Sequence, residues 1–352
     1  MNLNCPLPQY QFDHIIIGHG SGGRMTSDLL RYVIGPELGD SLFLHELDAG
    51  FVTLPIRERW GPEDLVFTTD SFVVDPIFFP GGDIGKLSIV GTVNDLAMMG
   101  AEPVAISVAF ILEEGFLLSD FRKVLRSMAQ ELKALNLKVT CGDTKVVPRG
   151  KGDKIFINTS GIGLKIAPCA WQPKRLQVGD IAILSREIGN HGTAILCARN
   201  QLGLKSSIQS DCHELVSMTK ALVENDIAIH CARDLTRGGL LAAAVEIAST
   251  GQKQIELEEQ LIPKQKDVAS ACELLGLDVH SMANEGACLL FVSPTQATET
   301  VKLLKTFSHS STAAVIGTVV GESDPGLCRL KLPSGVSRRW MLPPGELLPR
   351  IC

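Results

Sequence analysis

The chain has 352 residues, 45% of them hydrophobic and 20% charged, with a formal net charge of −6. That acidic balance, with no Lys/Arg run, excludes a dedicated nucleic-acid binder, which needs a basic stripe to track phosphates. Its ten cysteines include no C-x-x-C pair and sit mostly in apolar runs, which excludes a zinc knuckle and a disulfide framework.

The length favours two domains. The opening MNLNCPLPQYQFDH has neither a basic segment nor an apolar one, so no export signal is expected, and no apolar run reaches membrane-spanning length. The expected compartment is a reducing cytoplasm.

In chain order, FDHIIIG leads into a glycine loop and a helical stretch near 24–34. SLFLHELDAGFVTL (41–54) and LVFTTDSFVV (65–74) are rich in β-branched and aromatic residues and predict strands. Residues 83–100 predict a helix and 103–112 a buried strand. Phe121, Val124, Leu125, Met128, Leu132 and Leu135 recur at helical spacing and define one apolar face. Strands are expected at 137–147 and 154–166.

The mixture APCAWQPKRLQVGD (167–180) marks a domain boundary. Beyond it come the strand GDIAILS, helices near 191–202 and 212–224, and RDLTRGGLLAAAVEIAST, a loop entering a strong helix former. Strands and helices alternate to about residue 332. The last 20 residues hold four prolines and two glycines, which predicts an extended, loosely held tail.

GHGSGG (18–23) places Gly18, Gly20 and Gly23 in a G-x-G-x-x-G pattern, and Glu46 stands where a dinucleotide fold keeps its ribose acid. The pattern fails after residue 48, where strands and prolines replace the required crossover helix. A glycine nest can still hold phosphate through backbone N–H groups.

Aspartates recur where strands or loops should end: Asp48 in LDAG, Asp70 in TTDSF, Asp95 in VNDLAMMG, Asp234 in RDLTRGG, with Asp143 in CGDT and Asp83 in GGDIG. Singly, each reads as a cap or a turn residue. Collectively they suit a hard cation such as Mg²⁺, which takes one or two carboxylates plus nucleotide phosphates. Gly238 and Gly239, just before a helix, add backbone donors for an anion.

These stretches, in this order over roughly residues 40–330, resemble the aminoimidazole ribonucleotide synthetase (PurM-like) superfamily. GHGSGG, GGDIGKLS, GDTKVV and the closing PRIC are similar to one branch, the HypE family of NiFe-hydrogenase maturation factors. The resemblance implies an α/β fold of the α+β kind, two domains with mixed or antiparallel sheets flanked by helices, and a flexible tail. It divides the chain into a segment at 1–40 with the glycine loop, an ATP-binding, dimerising domain at 41–168, a second domain at 169–332 and a tail at 333–352.

The same resemblance implies an ATP-dependent carbamoyl dehydratase. Cys352 would accept a carbamoyl group from a carbamoyltransferase, HypF, and convert it to a thiocyanate. The cyanide would pass to iron on a HypC–HypD complex, and the protein would be a homodimer. By similarity, Asp48, Asp70, Asp95 and Asp234 hold Mg²⁺ against the phosphates of ATP, with Asp83 and Asp143 as further candidates. Lys145 and Glu285 are expected to orient the carboxamide and move its protons. About 20 extended residues span roughly 65 Å, enough for one thiol to visit a donor, an ATP site and an acceptor. The terminal carboxylate beside that thiol should raise its pKa, with Arg350 partly offsetting the effect. Two other readings remain open: a PurM-like kinase or ligase acting on a free small molecule, and a nucleotide-binding assembly scaffold without turnover.

Overall fold

The computed structural model describes residues 12–21, 23–39, 52, 54, 61, 64–199, 207–342 and 350–352. The expected strand at 41–54, with Glu46 and Asp48, lies outside these residues apart from positions 52 and 54.

A short 3-10 turn at 17–20 holds the glycine loop against a strand rather than against open solvent. A Cβ on Gly20 would stand 2.4 Å from the backbone nitrogen of Val146, so only glycine allows that approach. Helices α1 (Arg24–Leu29) and α2 (Gly35–Leu38) follow, joined by a π-helical turn at 30–34.

The first sheet uses β1 (Leu65–Phe72), β4 (Ala101–Glu113), β5 (Val139–Val147) and β6 (Ile155–Lys165); a small hairpin, β2 (Phe78–Phe79) with β3 (Gly82–Asp83), stands apart. Its order is β1-β6-β4-β5, antiparallel except for the β4/β5 pair. Helix α3 (Ile84–Met98) covers one face, and α4 (Leu118–Ala134) packs against α3 and reaches β4 through Phe121 on Phe110.

The two helices differ as their sequences require. In α4, Phe121, Val124, Leu125, Met128 and Leu132 are buried, the expected single face. Helix α3 is apolar all round and buried nearly all round, covered by the first sheet, by α4 and by elements of the second half. The two approach closely at Gly85, where a Cβ would stand 2.3 Å from the carbonyl oxygen of Val124.

The second sheet orders seven strands as β13-β12-β9-β11-β7-β10-β8. They are β7 (Ile181–Leu184), β8 (Ile229–Asp234), β9 (Lys253–Glu258), β10 (Cys288–Val292), β11 (Ala314–Glu322), β12 (Leu327–Lys331) and β13 (Ser337–Arg339). All pairings are antiparallel except β12 with β9. Helices α5 (Asn190–Ala198), α6 (Val216–Glu224), α7 (Gly239–Gly251), α8 (Lys266–Leu275) and α9 (Ala297–Leu304) complete this half.

One apolar core runs through both halves, from Phe72 and Leu87 to Ile195 and Leu215, and it includes Ile351. The end of the chain is therefore packed into the molecule. The tail also begins later than its composition predicts. Ser337–Arg339 pair with β12, and Trp340 is buried beneath them. An aromatic side chain of that size gains more from burial than the flanking prolines lose.

Candidate active site at the seam between the two sheets

Asn94 and Asp95, adjacent on α3, show how the halves are joined. The Asn94 amide donates to the carbonyl oxygens of His213 and Glu285, and its oxygen accepts from the Leu215 N–H at 2.7 Å. Asp95, one residue on, accepts at 2.7 Å from the Thr68 hydroxyl of β1. The last turns of α3 thus carry a structural tie and a carboxylate into the same seam.

The second half meets them through two loops. Asp234 closes β8 and leads into Arg237, Gly238 and Gly239, the two glycines at positive φ capping and opening α7. A Cβ on Gly239 would stand 2.4 Å from the Met282 carbonyl oxygen, so the turn is pressed onto the loop ending at Glu285. That loop is clamped from its other side. The buried Asp211 carboxylate accepts the N–H groups of Glu285 and Gly286, each at 3.1 Å. Clamping the backbone leaves the Glu285 side chain fully enclosed, its Oε1 without a hydrogen-bond partner.

The electrostatics follow from this crowding of like charges. Burial raises the Asp70 and Asp95 pKa values from the ordinary aspartate value, with Asp95 raising Asp70 further. Asp234 is pushed to about 7, first by burial and then by the charge of Asp95, with Asp70 adding to it. Glu285 is raised well above its ordinary value, by burial and then by Asp234, Asp211, Asp70 and Asp95. A cleft of about 390 Å³ opens beside Asp95 and Asp234, bounded by Thr68, Trp171 and Arg233.

Cys352 ends in this seam. Its terminal carboxylate accepts the Val73 N–H at 3.2 Å, and the Arg350 carbonyl accepts the Asp75 N–H at 3.3 Å. Arg350 points away from the thiol, to Asp153 and the Val73 carbonyl. The guanidinium beside the sulfur is that of Arg237 instead. Burial, then the charges of Glu285 and Asp70, push the thiol up to about 12, with Arg237 pulling the other way.

Asp70, Asp95, Asp234, Glu285, Gly238, Gly239 and Cys352 therefore come together. Asp83 does not: its carboxylate caps α3, accepting from Gly85 and Lys86 N–H groups at 2.7 and 3.0 Å. Nor do Asp143 and Lys145, which pair with each other at 2.7 Å in β5. The ladder aligns Asp70 with Thr159, Val108 and Gly142, so Asp143 and Lys145 stand on the opposite face of the sheet. Sequence reasoning passed over Asn94, Asp211 and Arg237, although Asn94 and Arg237 lie inside motifs it used.

A family model described as AIR synthase related protein, N-terminal domain, matches residues 48–165, and its C-terminal counterpart matches 177–327. The chain belongs to the AIR synthase related proteins, the class that the paired sheets and their acidic seam describe. A carbamoyl dehydratase HypE from Rhodobacter capsulatus is 39% identical over 97% of this chain and 98% of its own length. A crystal structure of hydrogenase maturation protein HypE in complex with ATP superimposes with a TM-score of 0.89 at 36% identity, covering 96% of this chain and 99% of that one. A HypE–HypF complex gives a TM-score of 0.76 at 40% identity over 79% of this chain and 90% of the other. Within its class, the chain is a member of the HypE family.

Proposed function

We propose that this chain is an ATP-dependent carbamoyl dehydratase of hydrogenase maturation, and that the group it dehydrates rides on Cys352. The observation that carries the proposal is the placement of the half-buried terminal sulfur beside Arg237, Asp70 and Glu285, whose Oε1 has no hydrogen-bond partner. The relatives' names and the ATP-bound HypE structure support the reaction class.

The chemistry needs a better leaving group than hydroxide. The carbonyl oxygen of S–C(=O)–NH₂ attacks the γ-phosphorus of ATP, and ADP departs. The nitrogen loses two protons as the C–O bond breaks, giving S–C≡N, ADP, inorganic phosphate and a net proton. Glu285, held at a raised pKa by burial and its neighbours, suits the role of the group that accepts a nitrogen-bound proton. Arg237 is placed to offset charge beside the reacting carbon.

Among the described residues, no three His, Cys, Asp or Glu side chains form a cation site by themselves. An all-oxygen, charge-frustrated set such as Asp70, Asp95 and Asp234 nonetheless suits Mg²⁺ arriving with phosphates, which supply its remaining ligands. Asp48 would join that set. Mg²⁺ would neutralise the triphosphate and help orient it.

The outer face of the first sheet supports a homodimer. Leu65 and Phe67 are more than half exposed there, and Ile111 stands near Asp143 and Lys145 on the same face. Pairing through that face would place Asp143 and Lys145 at a subunit boundary, where their roles in nucleotide handling would be exerted across the dimer. HypF is the proposed carbamoyl donor, supported by the HypE–HypF complex. HypC–HypD is the proposed acceptor. No helix among the described residues is long and apolar enough to cross a membrane, and the proposed setting is the cytoplasm.

Peptide mass spectrometry tests the carrier. After donor and ATP, the C-terminal peptide should gain a carbamoyl group and then lose one water. The same adduct on any other cysteine would refute the assignment to Cys352.

A further inference from the structure

His191 is wholly buried at the start of α5, and its two nitrogens face different partners. Nε2 lies 2.8 Å from the carbonyl oxygen of Ile351, and Nδ1 lies 2.8 Å from Oγ of Ser210. The Ser210 oxygen also accepts the Cys212 N–H at 3.1 Å. Phe79 meets the imidazole edge-on, with ring centroids 5.4 Å apart.

These contacts leave one arrangement of protons. A carbonyl oxygen only accepts, so Nε2 must carry hydrogen. Burial lowers the His191 pKa, and a neutral ring with its hydrogen on Nε2 accepts at Nδ1. Ser210 donates to Nδ1 while its own oxygen is held by Cys212. The chain of bonds runs in one direction, from Cys212 through Ser210 and His191 to Ile351.

We propose that His191 is the positioning residue for the terminal carrier. It grips the carbonyl one residue before Cys352 and so sets where the sulfur stands relative to Arg237, Asp70 and Glu285. The burial of Ile351 holds the tail without fixing its register, because an apolar contact is non-directional. The hydrogen bond adds direction, and placement within a fraction of an ångström governs whether a bound group reacts. Backbone N–H groups of Val73 and Asp75 hold residues 352 and 350, and Arg199 also holds residue 350, leaving the Ile351 carbonyl between them to His191. The inference rests on Cys352 being the carrier.

Two near-isosteric substitutions separate the nitrogens. An Asn amide reproduces the Nδ1 position and a Gln amide the Nε2 position. In the full-length protein, His191→Asn should let iodoacetamide label Cys352 on the order of tenfold faster, the scale of one lost buried hydrogen bond. Cys169, in the linker, is the internal control. Dehydration should slow at least as much, while loading by the carbamoyl donor stays unchanged. His191→Gln should restore both towards wild type. Equal labelling and equal dehydration in wild type and His191→Asn would overturn the proposal. Should His191→Asn fail to fold, Ser210→Ala decides by the same comparison, with a smaller acceleration expected and none overturning it. Labelling requires no carbamoyl chemistry, so a wrong carrier assignment would show separately, as an adduct mapped to another cysteine.

Discussion

The seam between the sheets and the outer face of the first sheet break opposite rules. In the seam, Asp70, Asp95, Asp234 and Glu285 are largely withdrawn from water, and the nearby Arg233 and Arg237 offset their charges incompletely. On the outer face, charges are compensated, Asp143 by Lys145, while apolar Leu65 and Phe67 stand in solvent. Unpaired buried charge costs stability and is kept where it works on a ligand. Uncovered apolar surface costs solubility and is kept where another surface covers it. The first region therefore points to chemistry and the second to assembly.

The largest expected effect comes from Asp70→Asn. It should abolish the ATP-driven step while leaving carbamoyl loading of Cys352 intact, as followed by mass spectrometry of the terminal peptide. Loss of both steps would assign Asp70 to structure or docking. Glu285→Gln should slow dehydration by about 10² to 10⁴-fold, the usual worth of a proton-transfer group. It should also raise the melting temperature by a few degrees, because it removes a carboxyl that burial and four acids disfavour. An active but destabilised variant would contradict the seam's assignment as a frustrated site.

Phe67→Asp should convert a dimer to monomer in light scattering without unfolding the chain, and an unchanged mass would remove the outer face as the interface. A smaller effect concerns pH. Asp234 has a folded pKa of about 7 against an unfolded value near 3.8. The folded state holds the extra proton, so stability is fully present below about pH 4 and is lost as pH rises through about 7. Without nucleotide or divalent cation, wild type should lose melting temperature between pH 5 and 8, and Asp234→Asn should lose less. Parallel slopes would place the Asp234 charge in water.

Some of this was legible in the sequence. The period of α4 alone fixes its buried face, and Asp70, Asp95 and Asp234 stand where strands and helices deliver side chains to a seam. Asp83 was not separable from them, since an aspartate before a helix looks the same as a cap or as a ligand. Asp143 and Lys145 were misplaced for a different reason. Strand alternation sets their face only once the register across four strands is known, and register arises from tertiary pairing. Asp211, His191 and Arg237 gave little local signal because their partners lie far away in sequence. Asp211 meets Glu285 and His191 meets Ile351 only after folding. The tail's prolines suggested looseness, while Trp340 and Ile351, two residues among twenty, decide where it is held.

The central claim is that ATP is spent on whatever the last sulfur carries while that sulfur sits in the acidic seam. A single-turnover experiment tests it directly: protein first loaded by its carbamoyl donor receives ATP, and ADP is counted against water lost from the terminal peptide. The account predicts equal amounts of the two, and no ADP above background in Cys352→Ala treated identically. Undiminished ADP formation in that variant would contradict it.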